Sequence, residues 1–200
     1  MPSAITDVII CNLALAHLGE APITALADDT VAGRACNLHY TQALESTLRA
    51  HRWNFAITRV AVTVDGTAPA FEWSYRFALP ADCLRVLEVN DSEVGDVITD
   101  EYVIEKGYIL TDADTMNLVY VARYTDATRF DSLFVDAFAL ALAVRLTESI
   151  RGTTEKTAAL QSAYERIIAP LARRVDANEG RRRKGLISLS SMFVRSRAGL

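Results

Sequence analysis

The chain has 200 residues, of which 50% are hydrophobic and 23% are charged, and its formal net charge is −4. This composition is typical of a globular protein with a real core and excludes an intrinsically disordered chain. No apolar run approaches the roughly 18 residues that a membrane helix needs, so we predict no membrane partner.

The N-terminus and the cysteines predict the compartment in which the chain is made. The first residues lack the basic region of a signal peptide and include Asp7, which favours synthesis in a cytoplasm. Cys11, Cys36 and Cys83 are odd in number and widely spaced, so they indicate neither a disulfide framework nor a zinc site. Each lies in an apolar segment, where a free cysteine packs as a small hydrophobe.

Two helices are predicted in the first quarter of the chain. The first runs from about Ser3, a plausible N-cap, to Leu18, and Gly19 fits the position just after its end. Asp28, Asp29 and Thr30 offer caps for a long second helix. Its apolar stripe is Cys36, Tyr40, Leu44, Leu48 and His51.

The periodicity then changes from helical to alternating, which predicts strands. The clearest alternation places Phe71, Trp73, Tyr75, Phe77 and Leu79 on one face of a single strand. Further strands are predicted near residues 60–64, 84–89 and 118–124, with a hairpin at 102–111 around Lys106-Gly107. We assign residues 53–55 to the hinge between the helical and strand-rich segments.

Two more helices follow the strands. Thr128 and Asp131 match a capping box that would open the third helix. Its regularly spaced apolar residues are Phe130, Phe134, Phe138, Leu142 and Leu146, and they predict a central position. Arg151-Gly152-Thr153 is expected to break it, and Pro170 is expected to kink the fourth helix. The stripe of that fourth helix is Leu160, Tyr164, Ile167, Ile168, Leu171 and Val175.

The predicted fold class is therefore α+β. Residues 1–54 and 126–179 are expected to form a four-helix bundle from N-terminal and C-terminal segments. Residues 55–125 are expected to form an inserted antiparallel β-rich domain. Residues 180–200 are expected to form an extended basic C-terminal arm.

The C-terminal arm differs in charge from the rest of the chain. Six basic residues and no acidic ones follow residue 180, so the net charge of −4 leaves −10 on residues 1–180. An acidic body with a basic tail suggests different partners for the two parts. The arm residues predicted to bind a partner are Arg181, Arg182, Arg183, Lys184, Leu189, Met192, Phe193 and Arg195.

No arrangement of side chains in the sequence points to catalysis, a cofactor or a metal. His17, His39 and His51 form no ligand pair, and there is no glycine-rich phosphate loop or nucleophile elbow. Residues 112–117 resemble a calcium loop only faintly, because Met116 and Asn117 occupy positions that need other residues. Asp28 and Asp29 are explained by helix capping. We therefore predict a protein that is not an enzyme.

A set of motifs spans much of the chain: Asn12-Leu-Ala-Leu-Ala-His-Leu-Gly-Glu20, Ile23-Thr-Ala-Leu-Ala-Asp-Asp29, Cys36 with Tyr40, Leu48, Trp53-Asn54-Phe55-Ala56, Arg59 and Phe77-Ala-Leu-Pro-Ala-Asp-Cys-Leu-Arg-Val86. Together these motifs resemble the tail tubular protein A family, the head-to-tail adaptors of short-tailed bacteriophages. The resemblance covers nearly the whole chain, and its motifs are packing patterns of moderate specificity.

The resemblance implies a structural virion protein of the tail or neck, assembled in the host cytoplasm. It implies a twelve-fold ring between the portal protein and the distal tail tube or nozzle protein. Such a ring extends the conduit through which DNA is ejected, without sequence-specific binding of that DNA.

Two other functions stay open at the level of sequence. A virion-associated cell-wall hydrolase would need two carboxylates roughly 5–10 Å apart in a cleft, and the sequence names no such pair. A nucleic-acid-binding regulator would use the Arg181 cluster and lose salt-sensitive DNA binding when residues 181–200 are removed.

Overall fold

A computed structural model of the chain describes residues 5–90, 92–93, 101–150 and 154–180. The helices within these residues are α1 (Asp7–Leu18), α2 (Val31–Arg49), α3 (Ser132–Ile150), α4 (Thr154–Ala163) and α5 (Ala169–Glu179). The strands are β1 (Ile57–Val62), β2 (Tyr75–Ala78), β3 (Cys83–Val89), β4 (Ser92–Glu93), β5 (Tyr102–Glu105), β6 (Tyr108–Thr111) and β7 (Met116–Ala122). The mixture of helices and antiparallel sheets confirms the predicted α+β class.

Helix α1 begins later than predicted. Its N-cap is Thr6, whose hydroxyl accepts a hydrogen bond from the Ile9 amide, so the prediction of Ser3 as the cap is wrong. The predicted end is confirmed, because Gly19 has φ 73° and the Glu20 amide donates to the Leu15 carbonyl at 3.0 Å. A left-handed residue at this position closes the last turn of the helix.

Helix α2 begins after Thr30, whose hydroxyl accepts a hydrogen bond from the Gly33 amide at 2.9 Å. The preceding loop folds back tightly over this first turn. A Cβ atom at position 33 would lie 2.3 Å from the Asp28 carbonyl oxygen, which is backbone. Only glycine fits this approach without moving the loop.

We expect Gly33→Ala to destabilise the protein by about 1–3 kcal/mol, because the added methyl group must displace backbone. Urea unfolding followed by circular dichroism measures this loss. Gly66→Ala is the matched control, since nothing lies within 4 Å of a Cβ atom there. Equal effects of the two substitutions would contradict the packing argument.

Helix α3 is central, as predicted, but its predicted start is wrong. Phe134, Phe138, Leu142 and Leu146 are fully buried. The N-cap is Asp131, whose carboxylate accepts hydrogen bonds from the Leu133 and Phe134 amides. Thr128 lies instead in a separate 3-10 turn, where the Asp126 carboxylate accepts its amide and hydroxyl hydrogens.

The C-terminal helix consists of α4, a π-helical turn (Tyr164–Ile168) and α5, and we use that name for all three. In the π turn the Ala169 amide donates to the Tyr164 carbonyl. Pro170 has no amide hydrogen and crowds the carbonyl one turn back, and a wider turn accommodates both effects. The predicted break at 151–153 lies outside the described residues, and the predicted kink at Pro170 stays a prediction.

The strands form two antiparallel sheets stacked on one side of the helices. The four-stranded sheet has the order β1-β7-β3-β4 and the three-stranded sheet the order β2-β6-β5. Alternate residues of β7 face opposite ways: Val119 and Val121 join the helical core, whereas Leu118 and Tyr120 join the core between the sheets. The four-stranded sheet is thus the middle layer. The predicted division into domains stays a prediction.

The predicted strand at residues 71–79 is mostly wrong, because only Tyr75–Ala78 are extended and paired. Glu72 has φ 74°, and the Trp73 amide donates to the Phe71 carbonyl at 2.9 Å. The chain therefore turns sharply within the alternating pattern. The hairpin at Lys106-Gly107 is confirmed, with positive φ at both residues.

Candidate assembly surfaces

The predicted partner-binding residues of the arm all lie outside the described residues, and the structure gives only the point where the arm begins. That point is Gly180, directly after α5. A Cβ atom there would lie 2.3 Å from the Asn54 side-chain oxygen, so the chain passes closely against the start of the strand-rich segment. Gly180 therefore lies at the junction of helices and sheet.

A buried carboxylate fixes this junction. Asp176 of α5 is 7% exposed, and its side chain lies 3.1 Å from His51 Nε2. Its second oxygen accepts a hydrogen bond from the Asn54 amide at 2.9 Å. The Asn54 side chain in turn donates to the Asp176 carbonyl at 2.5 Å. Sequence reasoning missed this cluster, because an acid in a helical pattern is usually exposed.

Glu88 is a second buried acid that the sequence did not reveal. It is 4% exposed within β3 and accepts a hydrogen bond from Arg52 at 2.7 Å. Arg59 of β1 lies 3.7 Å from its other oxygen. One indication of this site is present in the sequence, an acid within the largely apolar segment 84–89. A buried acid of this kind requires a cationic partner.

The residues that carry the family resemblance have structural roles. The Asn12 amide group donates to and accepts from the Ile23 backbone, at 3.0 and 2.8 Å, and so holds the loop after α1. The Tyr40 hydroxyl donates to Asp7 at 2.8 Å, and burial together with this bond raises the pKa of Tyr40. Trp53 is 1% exposed, and its indole N–H donates to the Thr47 carbonyl at 2.9 Å.

The cysteines and histidines also have local partners. Cys11 and Cys36 are buried together, and the neighbouring Cys36 thiol, with burial, raises the pKa of Cys11. His39 Nε2 lies 2.8 Å from the Ser149 hydroxyl, and His17 is exposed in the last turn of α1. No group of three or more potential metal ligands occurs within the described residues.

The expectation that helix capping explains Asp28 and Asp29 is wrong, because Thr30 caps α2 and the two acids have other local partners. Asp28 accepts hydrogen bonds from the Thr24 and Ala25 amides, which hold its pKa below the usual range. Asp29 pairs with Arg34 instead. The two acids therefore do not share a proton.

Two further acids line one groove of the molecule. Asp7 and Glu45 both line a groove between α1, α2 and the end of β7. Asp7 accepts the Tyr40 hydrogen bond, and Glu45 lies 2.7 Å from Arg123 Nε. Each carboxylate thus has its own partner, which gives no specific support to the hydrolase alternative.

Two apolar patches lie on different helices. On α2, Val31 and Leu38 are 58% and 72% exposed, and their seven-residue spacing places them on one face. On the C-terminal helix, Ile167 and Leu171 are 62% and 47% exposed. The sequence predicted these last two as part of a core stripe. Three other residues of that stripe, Leu160, Tyr164 and Ile168, pack against the helical core.

A third exposed apolar surface lies in the loop between β1 and β2. Phe71 is 79% exposed there, and Val64 and Tyr75 are also exposed. The sequence pattern placed Phe71 in a strand and so missed its projection. Among the described residues, no helix is both long and apolar enough to cross a membrane.

No known protein-family model matches the chain, and a search of curated proteins finds no match. Function is therefore inferred from these surfaces and from the sequence resemblance.

Proposed function

We propose that the chain is a structural subunit of a head-to-tail adaptor ring in a short-tailed phage virion. The ring lies between the portal protein and the distal tail tube or nozzle, and DNA passes through it during ejection. Helices α1, α2 and α3 and the C-terminal helix form its four-helix bundle. In support of that bundle, α3 packs against each of the other helices.

The observation that carries the proposal is the pair of apolar patches on α2 and on the C-terminal helix. A ring needs two different surfaces per subunit, because each copy meets its neighbours through unlike faces. Leu38 on one copy and Ile167 with Leu171 on the next supply such faces. Complete burial of an exposed Leu or Ile side chain stabilises by about 1.5–3 kcal/mol, and these partly exposed side chains would each contribute a fraction of that.

The charge distribution also supports a conduit. The net charge of −10 on residues 1–180 disfavours tight retention of DNA, since phosphates bind strongly to basic surfaces. The basic arm is then free to dock on the portal or on a neighbouring subunit.

We expect Leu38→Glu, or Ile167→Lys, to abolish ring formation with the portal protein while leaving the thermal midpoint nearly unchanged. Each substitution puts a charge into an apolar contact but touches no core residue. Mass photometry and negative-stain microscopy of the co-expressed proteins measure the rings. Asn37→Glu is the matched control, because it adds the same charge one residue away, about 100° around α2.

The double variant L38E/I167K tests whether the two patches meet. In a ring, the carboxylate introduced on α2 of one copy would face the ammonium group introduced on the C-terminal helix of the next, so rings should partly return. Failure of both single variants to affect assembly would contradict the assigned faces. Failure of the double variant to restore it would contradict their pairing.

A further inference from the structure

The loop of residues 63–74 and the first residue of β2 carry an exposed apolar surface, which we call the Phe71 surface and define as Val64, Phe71 and Tyr75. Their exposed fractions are 48%, 79% and 36%. Val64 bridges to Phe77, two residues from Tyr75 on the same strand. Exposed aromatic side chains of this kind are common anchors of protein interfaces.

The loop is held in place at both ends. Asp112 accepts hydrogen bonds from the Ser74 amide and hydroxyl at 2.9 and 2.8 Å. Asp65 accepts from the Thr67 amide at 2.8 Å and from Arg76 at 3.1 Å. A surface that is already ordered loses less conformational entropy when a partner binds.

The backbone beside Phe71 is strained. Glu72 has φ 74°, and the hydrogen bond from the Trp73 amide to the Phe71 carbonyl spans only two residues. Such a turn is rare for a residue with a side chain and persists only where its surroundings enforce it. Phe71, next to this turn, is 79% exposed, which favours a binding role over a packing role.

The charges near the Phe71 surface indicate what it binds. Glu72 is exposed, and Asp65 and Asp112 fix the loop. Arg76 pairs with Asp65 and offsets its charge. The carboxylates of Glu72 and Asp112 therefore leave the surroundings of the Phe71 surface acidic. A complementary partner therefore carries apolar side chains flanked by basic ones.

We propose that residues 181–200 of an adjacent copy pack on the Phe71 surface. This segment has six basic and no acidic residues, with apolar residues at Leu186, Ile187, Leu189, Met192, Phe193 and Val194. Fully extended, its 20 residues reach roughly 66 Å from Gly180, which is ample for a neighbouring copy. The inference depends on the proposed ring for the position of that copy.

Photo-crosslinking of the full chain tests the inference. Phe71 is replaced by p-benzoylphenylalanine in equal mixtures of ¹⁴N- and ¹⁵N-labelled protein, assembled with the portal protein. We expect cross-links from position 71 to residues 186–194, with about half of the linked peptides carrying one label of each kind. Raising the salt to 0.5 M should lower their yield several-fold, because it screens the charges.

The same cross-linker at Arg129, which is 74% exposed, is the matched control and should give no link to the arm. Rings without links from position 71 to the arm would overturn the inference and leave the proposed function standing. Links within single copies only would show that the arm docks on its own body and would also overturn it. Links between copies without rings would contradict the proposed ring but keep the docking surface.

Discussion

Trp53→Ala is expected to lower the free energy of unfolding by roughly 3–5 kcal/mol, the range for truncation of a buried aromatic side chain. Trp53 is 1% exposed and packs edge-on against Phe134 at a centroid distance of 4.9 Å. Its indole N–H also bonds the Thr47 carbonyl, which would lose its partner. The residue thus joins the end of α2 to α3, and its loss should loosen both. Urea unfolding monitored by far-ultraviolet circular dichroism gives the value.

Trp73→Ala is the matched control, because it removes the chain's other tryptophan from a half-buried position in a loop. Its effect should be clearly smaller. A loss below 1 kcal/mol for Trp53→Ala would show that the residue does not support the junction.

Asp176→Ala is expected to cost about 1–3 kcal/mol, because it removes a buried carboxylate that accepts the Asn54 amide hydrogen bond and contacts the half-buried His51. It should also release α5, so amide hydrogen exchange in residues 169–179 should rise more than exchange in α3. Equilibrium unfolding and exchange mass spectrometry measure the two effects. Glu179→Ala is the control, since Glu179 is an exposed acid of the same helix. Equal losses from the two variants would contradict the assigned role of Asp176.

The helices were more predictable than the strands for a physical reason. The large apolar residues of α3 recur at helical spacing over several turns. In a pattern of that length, one residue that departs from it does not change the predicted element. The alternation at residues 71–79 is short, and one left-handed residue, Glu72, was enough to interrupt it. The start of α3 was predicted wrongly because Thr128 and Asp131 are both residue types that favour an N-cap, and the sequence alone does not decide between them.

The candidate surfaces were harder to predict than the fold. Ile167 and Leu171 fit the same helical stripe as Ile168, and only packing decides which of them faces solvent. Asp176 gave no signal at all, since its partners are far away in sequence. The motifs that carry the family resemblance have structural roles: Trp53 packs in the core, and Asn12 holds the loop after α1 by hydrogen bonds. They therefore indicate a shape and not a chemistry.

Electron microscopy of the protein with its portal protein is the most direct test of the adaptor proposal. The proposal predicts closed rings seated on the portal, with α2 of each copy against the C-terminal helix of the next. A mixture in which light scattering and microscopy find only unassociated monomers would contradict it.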